Sequence, residues 1–574
     1  MHLILEKSPS WDHITITHQG DARLYHDCFT SQDVDVFVYG YPYRLDGLAW
    51  LSAADIYRLY ADKGLDFVHQ VEGFFALIIL DRVTPECHIV VDRCEVYTFF
   101  YARRDSDSLI IADNIQETAR LLPQMAIDRL SLTEFLHIGF ILGDRTLVEG
   151  VSTFQPATVC TIDCDLLVQN TEYWQFLEGE TSITKEELRV RFNQHILGGF
   201  ELAESVTLPL TGGVDSRTIL SACLPKQERL FCYTHGLPGS EDVRVASRVA
   251  RRLALNHRHY PVGDQLIRDI PAVADRMAGE FDLMSNAILY THLPASFARV
   301  IQDTGGDTIF YSGIGGEMLG FSHFGKKPSE LHSRDEYIES IIALFNTKGP
   351  YDIHAARPGD EVKSLVRESI ARELDRLPAD DYVMLSRLFW FKVRLGSFYG
   401  PHLRFAGTYF RLFDPFLSRG ILHAARGLDD QDLLHKTVRP YIIAQNSPEL
   451  AHILLSHGKK PIDQKNPLLA ARYYGNRFIR GVKHLRNLVL GWGVFNTIGY
   501  FVDYGRWLQD YHRDYVREVL DYDRMLLKDF LVKDELDGAV GRFLRGDQGL
   551  TKFITNLMSV ELGLRQLRDD APIS

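Results

Sequence analysis

The stretch VTLPLTGGVDSRTIL, Val206 to Leu220, sets an apolar β-branched run against two adjacent glycines, a carboxylate and a second apolar run. Residue types in that order are the tools of an anion site. The first run reads as a buried strand, and Thr211, Gly212 and Gly213 stand where it ends. Glycines there allow positive φ and a close approach of backbone to a ligand. The chain then enters a helix, whose unpaired N–H groups and positive dipole end suit a pyrophosphate. Asp215 inside such a site would repel the phosphates unless Mg2+ stood between them, so this carboxylate implies a metal. The Gly-Lys-Ser/Thr ending of the Walker loop is absent, which turns the expectation away from γ-phosphate transfer. A plain strand–turn–helix would also read this way over these residues alone.

Elements must hold that turn. From 185 to 446, SVTLPL, RLFCYTH and DTIFYSG read as buried strands, and SEDVRVASRVARRLAL as a helix with Val243, Ala246, Val249, Ala250 and Leu253 along one stripe. Strands alternating with such helices predict an α/β domain with a parallel sheet, which binds ligands beyond the carboxyl ends of its strands. Residues 1–178 have another texture. Short β-like runs such as DVFVYGY, FFALIIL and SLIIAD lie between turn formers and the helical stretches AADIYRLYADKG and IQETARLL, predicting an α+β domain rich in antiparallel sheet. Between the two, Thr184 and Glu187 have the spacing of a capping box at a helix start, and the domain boundary is expected there. Residues 447–574 read as a mostly helical extension. Within it, NRFIRGVKHLRNLVLGWGVF sets Phe478, Ile479, Val482, Leu485 and Val489 on one helical face, with Arg477, Arg480, Lys483 and Arg486 mostly on the other, the pattern of a capping surface helix.

Bulk properties narrow the field. A chain of 574 residues exceeds one hydrophobic core, and 45% hydrophobic with 11% aromatic residues belongs to a folded protein. A net charge of −13 argues against a general nucleic-acid binder. Seven cysteines without a CxxC pair do not form a disulfide framework or a zinc site, and the 22 histidines give no HExxH. The longest apolar run, Gly73 to Leu80, is too short to span a bilayer, and the start MHLILEKSPSW is not a signal peptide. A cytoplasmic protein is expected, with the oligomeric state open between monomer and homodimer.

TGGVDSR resembles the SGGxDS pyrophosphate motif of the PP-loop ATP pyrophosphatases. CYTHGLPGSEDVRVA, FYSGIGGEMLG, and DPFLSRGIL followed by HKTVRPYII are similar, in order, to further segments of asparagine synthetases. The resemblance implies a ligase that adenylates a carboxylate with ATP, releases pyrophosphate and lets an amine displace AMP. It implies that Thr211, Gly212, Gly213 and Ser216 hold pyrophosphate, that Asp215 and Glu317 share Mg2+, and that the backbone near Leu210, Thr234, His235, Ser312 and Gly313 borders the adenosine. Lys436 would neutralise charge on the acyl-adenylate, and Arg439 would support it or the phosphates. Two departures bear on substrate: Ile314 stands where many asparagine synthetases have Glu, and Ser418 where the Pro-Phe-Leu segment usually ends in Asp.

The first domain resembles the class II glutamine amidotransferase fold, an Ntn-hydrolase-like sandwich, through VFVYGYPYRL, VEGFFALIILDR, VVDRCEVYTFFYAR and LIIADNIQETARLL. Active members expose a cysteine after Met removal, whereas position two here is His2 and the first thiol is Cys28. The glutamine clamp Asn-Gly-Glu reads Tyr39-Gly40-Tyr41, with Asp55 the one candidate survivor of the amino-acid pocket. Glutamine hydrolysis is therefore not expected. The amine is then ammonia or an amine of the substrate, as in the similar β-lactam synthetases and lasso peptide cyclases, or the partner is a sugar acid, as in relatives linked to surface polysaccharides. An ammonia-dependent asparagine synthetase and a non-catalytic nucleotide-binding scaffold also stay open.

Overall fold

The computed structural model describes residues 1–7, 15–17, 25–320, 330–456, 462–463, 467–469, 471, 473–475 and 502–570. The basic, aromatic stretch 476–495 lies outside the described residues.

The first 178 residues form two antiparallel sheets. Their strands are β1 (His2–Glu6), β2 (Thr15–Thr17), β3 (Tyr25–Thr30), β4 (Val34–Arg44), β5 (Val71–Asp81), β6 (Glu86–Val91), β7 (Phe100–Arg103), β8 (Ser108–Ala112), β9 (Ser152–Thr153), β10 (Thr158–Asp163) and β11 (Val168–Glu172). One sheet runs β2-β1-β8-β7-β9 and the other β11-β10-β6-β5-β4-β3. Side chains of a strand alternate between faces. Phe74, Ala76, Ile78 and Leu80 of β5 accordingly face the main core, while Phe75, Leu77 and Ile79 pack under helix α1 (Ala53–Lys63) with its Ala53 and Ile56. Both faces are covered, which is why β5 reads as a continuous apolar run. Helices α2 (Ile115–Leu121) and α3 (Arg129–Ile138) follow β8 in the chain.

Helix α4 (Lys185–Gly199) opens with the capping box foreseen in the sequence: the Thr184 hydroxyl accepts from the Glu187 amide, and the Glu187 carboxylate accepts from Thr184. Then come β12 (Ser205–Pro209), α5 (Val214–Cys223), β13 (Leu230–Gly236), α6 (Glu241–Arg252), β14 (Asn256–Pro261), β15 (Thr308–Tyr311) and β16 (Arg411–Phe413). The sheet is parallel throughout, in the order β14-β13-β12-β15-β16. The chain moves outward on one side of β12 and later returns on the other, so the strand order reverses there. A crevice opens at the carboxyl end of such a switch point, and the glycine turn follows β12 directly.

The helical C-terminal extension folds back across both halves. Phe553, Ile554, Leu557 and Met558 of the helix Thr551–Asp570 are fully buried. Asn286 donates to Thr555 and Asn556, at 2.8 and 2.7 Å, and Asn556 donates to the Phe135 carbonyl of α3 at 2.9 Å. No helix among the described residues is long and apolar enough to cross a membrane.

Candidate active site

The turn after β12 is built from its own short side chains. Leu210 is tied to β13 on both sides, its amide donating to Tyr233 O at 2.7 Å and its carbonyl accepting from the Thr234 hydroxyl at 2.6 Å. The Thr211 amide donates to the Ser216 hydroxyl, Gly213 N–H to the Thr211 hydroxyl, and Gly212 N–H to the Asp242 carboxylate at 3.0 Å. The amides left for a ligand are those of the first turn of α5, which begins at Val214 with Gly213 as an N-cap that offers no side chain. Those amides, directly after the paired glycines, are the donors that an anion could meet.

Gly212 serves space, and neither glycine serves handedness. Neither Gly212 nor Gly213 has positive φ, contrary to the sequence expectation. A Cβ on Gly212 would lie 2.5 Å from the Ser456 Cβ, so the residue is needed for close packing. Gly213 would meet only the Thr211 hydroxyl, at 3.1 Å.

The loop after β15 closes on this turn. Gly313 faces the Asp215 side chain, and a Cβ on Gly316 would collide with the Asp215 carboxylate. Gly315, at φ +94°, leaves room for Leu417 and Phe416 of the Pro-Phe-Leu segment. Gly320 leaves room for the Arg439 guanidinium and the Lys436 backbone. Separate stretches of sequence thus converge, with four glycines of one loop acting as the surfaces at which they touch.

Charge is distributed across that convergence. Arg439, 4% exposed, is ion-paired with Asp215 and donates to the Gly320 carbonyl at 3.1 Å. Lys436 is exposed and has φ +57°, a conformation a non-glycine residue adopts only where its surroundings impose it. Glu317 is half-buried in the turn Gly316–Leu319. Burial pushes the Tyr399 hydroxyl up to about 12; Arg394 opposes this, while Glu317 and Asp215 both add to it. Among the described residues no group of three metal-binding side chains occurs. Mg2+ takes one or two carboxylates and completes its shell with phosphates and water, so the partly exposed pair fits that ion.

Thr234 also meets His257 Nε2 at 2.9 Å, and His235 packs edge-on against His292, burial holding the His235 imidazole down at about 4. The Ser312 hydroxyl accepts from the Ile314 amide. These positions stand at the carboxyl ends of β13 and β15, beside the turn.

Sequence reasoning assigned no role to Asp242, Arg217, Ser456, Tyr399 or Arg394. Arg217, fully buried, donates to the carbonyls of Ile453, Leu454 and Gly212, and Ser456 donates to the Gly212 carbonyl and the Asp242 carboxylate. The strap 453–456 is thereby laced over the turn. Arg217 was visible two places after Asp215; its partners, more than 200 residues away, gave no local signal.

In the two-sheet layer, Gly40 has φ +82° and leaves room for the Phe74 carbonyl and the Tyr97 ring. Tyr39 and Tyr97 are buried, and Tyr41 packs between Trp50 and Tyr97 with its hydroxyl on the Gly407 carbonyl. Asp55 accepts from the Ser52 amide and hydroxyl as part of the α1 capping box, a structural role. Cys28 is exposed on β3.

Residues 43–174 match the family model of the glutamine amidotransferase domain, and residues 203–384 that of asparagine synthase. Tyr39 and Tyr41, and the Lys436–Arg439 segment, fall outside both spans. No curated protein matches the chain. A solved structure of the allosteric regulatory enzyme of purine biosynthesis aligns at 9% identity over 62% of this chain and 74% of its own, with a TM-score of 0.18, too low to carry an argument.

Proposed function

We propose that this chain, which belongs to the asparagine synthetase-like family of ATP-dependent amide-forming ligases, activates a carboxylate as its acyl-adenylate and does so without hydrolysing glutamine. The observation that carries the reading is the meeting of Asp215, Glu317, Lys436 and Arg439 around the uncapped start of α5. A substrate carboxylate oxygen attacks the α-phosphorus of ATP, and the α–β bridging oxygen leaves with pyrophosphate. An amine then attacks the acyl carbon, AMP departs, and the amine loses a proton.

Each residue has a task in that sequence. The first-turn amides of α5, with the Thr211 and Ser216 hydroxyls beside them, receive the leaving pyrophosphate. Lys436 would face the negative charge that grows as the acyl-adenylate forms. Arg439 orients Asp215 and, freed from it, reaches the phosphates. Mg2+ on Asp215 and Glu317 would neutralise the β- and γ-phosphates. Rings of Tyr39, Tyr41 and Tyr97 fill the region where a glutamine clamp would stand, which supports a structural role for the two-sheet layer.

Pyrophosphate exchange tests this directly. With ATP, Mg2+ and a panel of carboxylates, the wild type should exchange labelled pyrophosphate into ATP, and Asp215→Asn should abolish it while the circular dichroism spectrum stays unchanged. Glutamine should yield no glutamate. Exchange that persists in Asp215→Asn removes this carboxylate from the mechanism, and glutamate release overturns the structural role of the first layer.

A further inference from the structure

Lys436 stands where a helix stop ordinarily takes glycine. The helix Asp430–Leu434 ends at His435, and the next two amides turn back on it. Lys436 N–H donates to the Leu433 carbonyl at 3.1 Å, and Thr437 N–H to the Asp432 carbonyl at 3.0 Å. In a stop made by that pair of bonds, the residue after the cap lies in the left-handed region and is most often glycine. Here it is a lysine at φ +57°. A Cβ crowds the backbone in that region, so this side chain is kept at a conformational cost.

Three side chains close the same turn from outside. The Thr437 hydroxyl donates to Asp432 Oδ1 at 2.6 Å. Lys185 Nζ donates to the same oxygen at 2.7 Å and lies 3.4 Å from Thr437 Oγ1. An apolar contact commonly joins these two positions of a helix stop; here a charge-assisted hydrogen bond does so. Thr437 is the N-cap of the helix Val438–Asn446 yet gives it no side-chain cap, its hydroxyl being donated to Asp432 instead. Lys185 is the first residue of α4, where the helix dipole disfavours a cation, and Asp432 supplies the counter-charge. Both side chains of that pair are largely shielded, at 30% and 26% exposed. On the inner side the turn rests on the loop after β15: a Cβ on Gly320 would fall 3.5 Å from Lys436 Cα and 3.7 Å from its Cβ.

We propose that Asp432, gripping Thr437 and Lys185, is the positioning residue for Lys436. It holds the lysine backbone in the left-handed conformation, against the loop that carries Glu317, and so fixes the point from which the lysine amine reaches the reacting groups. The proposal rests on the ligase reading above. A stop built for stability alone is served better by glycine, which makes the lysine and its clamp a device for presenting a side chain. Asp432 acts only through Lys436.

The test is a double-mutant cycle on the full-length protein, read by pyrophosphate exchange and by urea midpoint. Lys436→Gly should lower exchange and raise the midpoint, because glycine relieves the left-handed residue. Asp432→Ala should lower the exchange kcat roughly tenfold. KM for ATP, and affinity for a non-hydrolysable ATP analogue by calorimetry, should stay within about twofold. Thr437→Val should follow Asp432→Ala, while Thr437→Ser, which keeps the hydroxyl, should retain most of kcat. In the Lys436→Gly background, Asp432→Ala should take away none of the residual exchange, since both changes act through one amine. Undiminished kcat in Asp432→Ala, an equal further loss in the Lys436→Gly background, parallel loss of the analogue, or a lower midpoint in Lys436→Gly each overturns the proposal. Absence of exchange in the wild type would instead remove the ligase reading, and this role with it.

Discussion

At the scale of single residues, the turn after β12 separates two uses of glycine that look the same in sequence. Gly212 is pinned by Ser456 and Asp242, whereas Gly213, at φ −78°, has open space apart from one hydroxyl. Alanine at 212 must push the strap 453–456 aside, an overpacking cost of about 1–3 kcal/mol. Alanine at 213 should leave stability within about 0.5 kcal/mol and weaken the ATP analogue, because its methyl enters the approach to the first-turn amides. Urea denaturation and calorimetry on both variants check this: equal stability losses would show that both glycines serve packing alone. The glycine–carboxylate pattern was legible because it needs no distant partner. The reason for the first glycine was not, because steric demand is set by residue 456.

At the scale of elements, the strap and α5 act as one unit through Arg217. An interior guanidinium that donates to three carbonyls replaces the carboxylate partner such a residue usually has, and burial lowers its pKa to about 10. Arg217→Met takes this donor from the Ile453 and Leu454 carbonyls, while Gly212 O keeps the Ser456 amide, at a cost of about 2–3 kcal/mol. The loss should be local: hydrogen exchange at the Ser456 amide, bonded to Gly212 O, should quicken by at least tenfold, while amides of β12 and β13 keep their protection. Uniform quickening would show that the strap is an integral part of the core. The parallel strands, the α6 stripe and the α4 capping box were all readable because period and cap chemistry are local. The π-helical stretch Phe389–Tyr399 was not, since its sequence FWFKVRLGSFY carries no periodic mark of an extra residue per turn.

At the scale of the whole molecule, the two-sheet layer is fastened to the synthetase layer by buried charge. Glu72 of β5 pairs with Arg93, which also approaches Asp414, and Asp414 accepts from Tyr43 two residues before Phe416 and Leu417 meet the active-site loop. That fastening lies among groups buried between the two layers. It also sets the pH response. Burial raises Asp92 to about 7 and Glu95 to about 8, and burial with the Glu72 charge raises Asp414 to about 7. The folded chain keeps protons there that the unfolded chain releases near pH 4, so their stabilisation is full below that point and is lost as pH climbs through 7 and 8. His88, His235, His257, His354 and His402, held near 4 chiefly by burial, act oppositely, their contribution being lost as pH falls from 6.5 towards 4. The two trends cross near pH 6.5, where stability should peak. Between pH 6.5 and 8 only the acids titrate, each removing on the order of 1 kcal/mol. Urea midpoints at pH 5, 6.5 and 8 should show that maximum, and Glu95→Gln should flatten the alkaline limb. A midpoint that rises steadily to pH 8 would mean that these carboxylates are ionised in the fold, and the buried fastening would then have to be held by charge pairing alone.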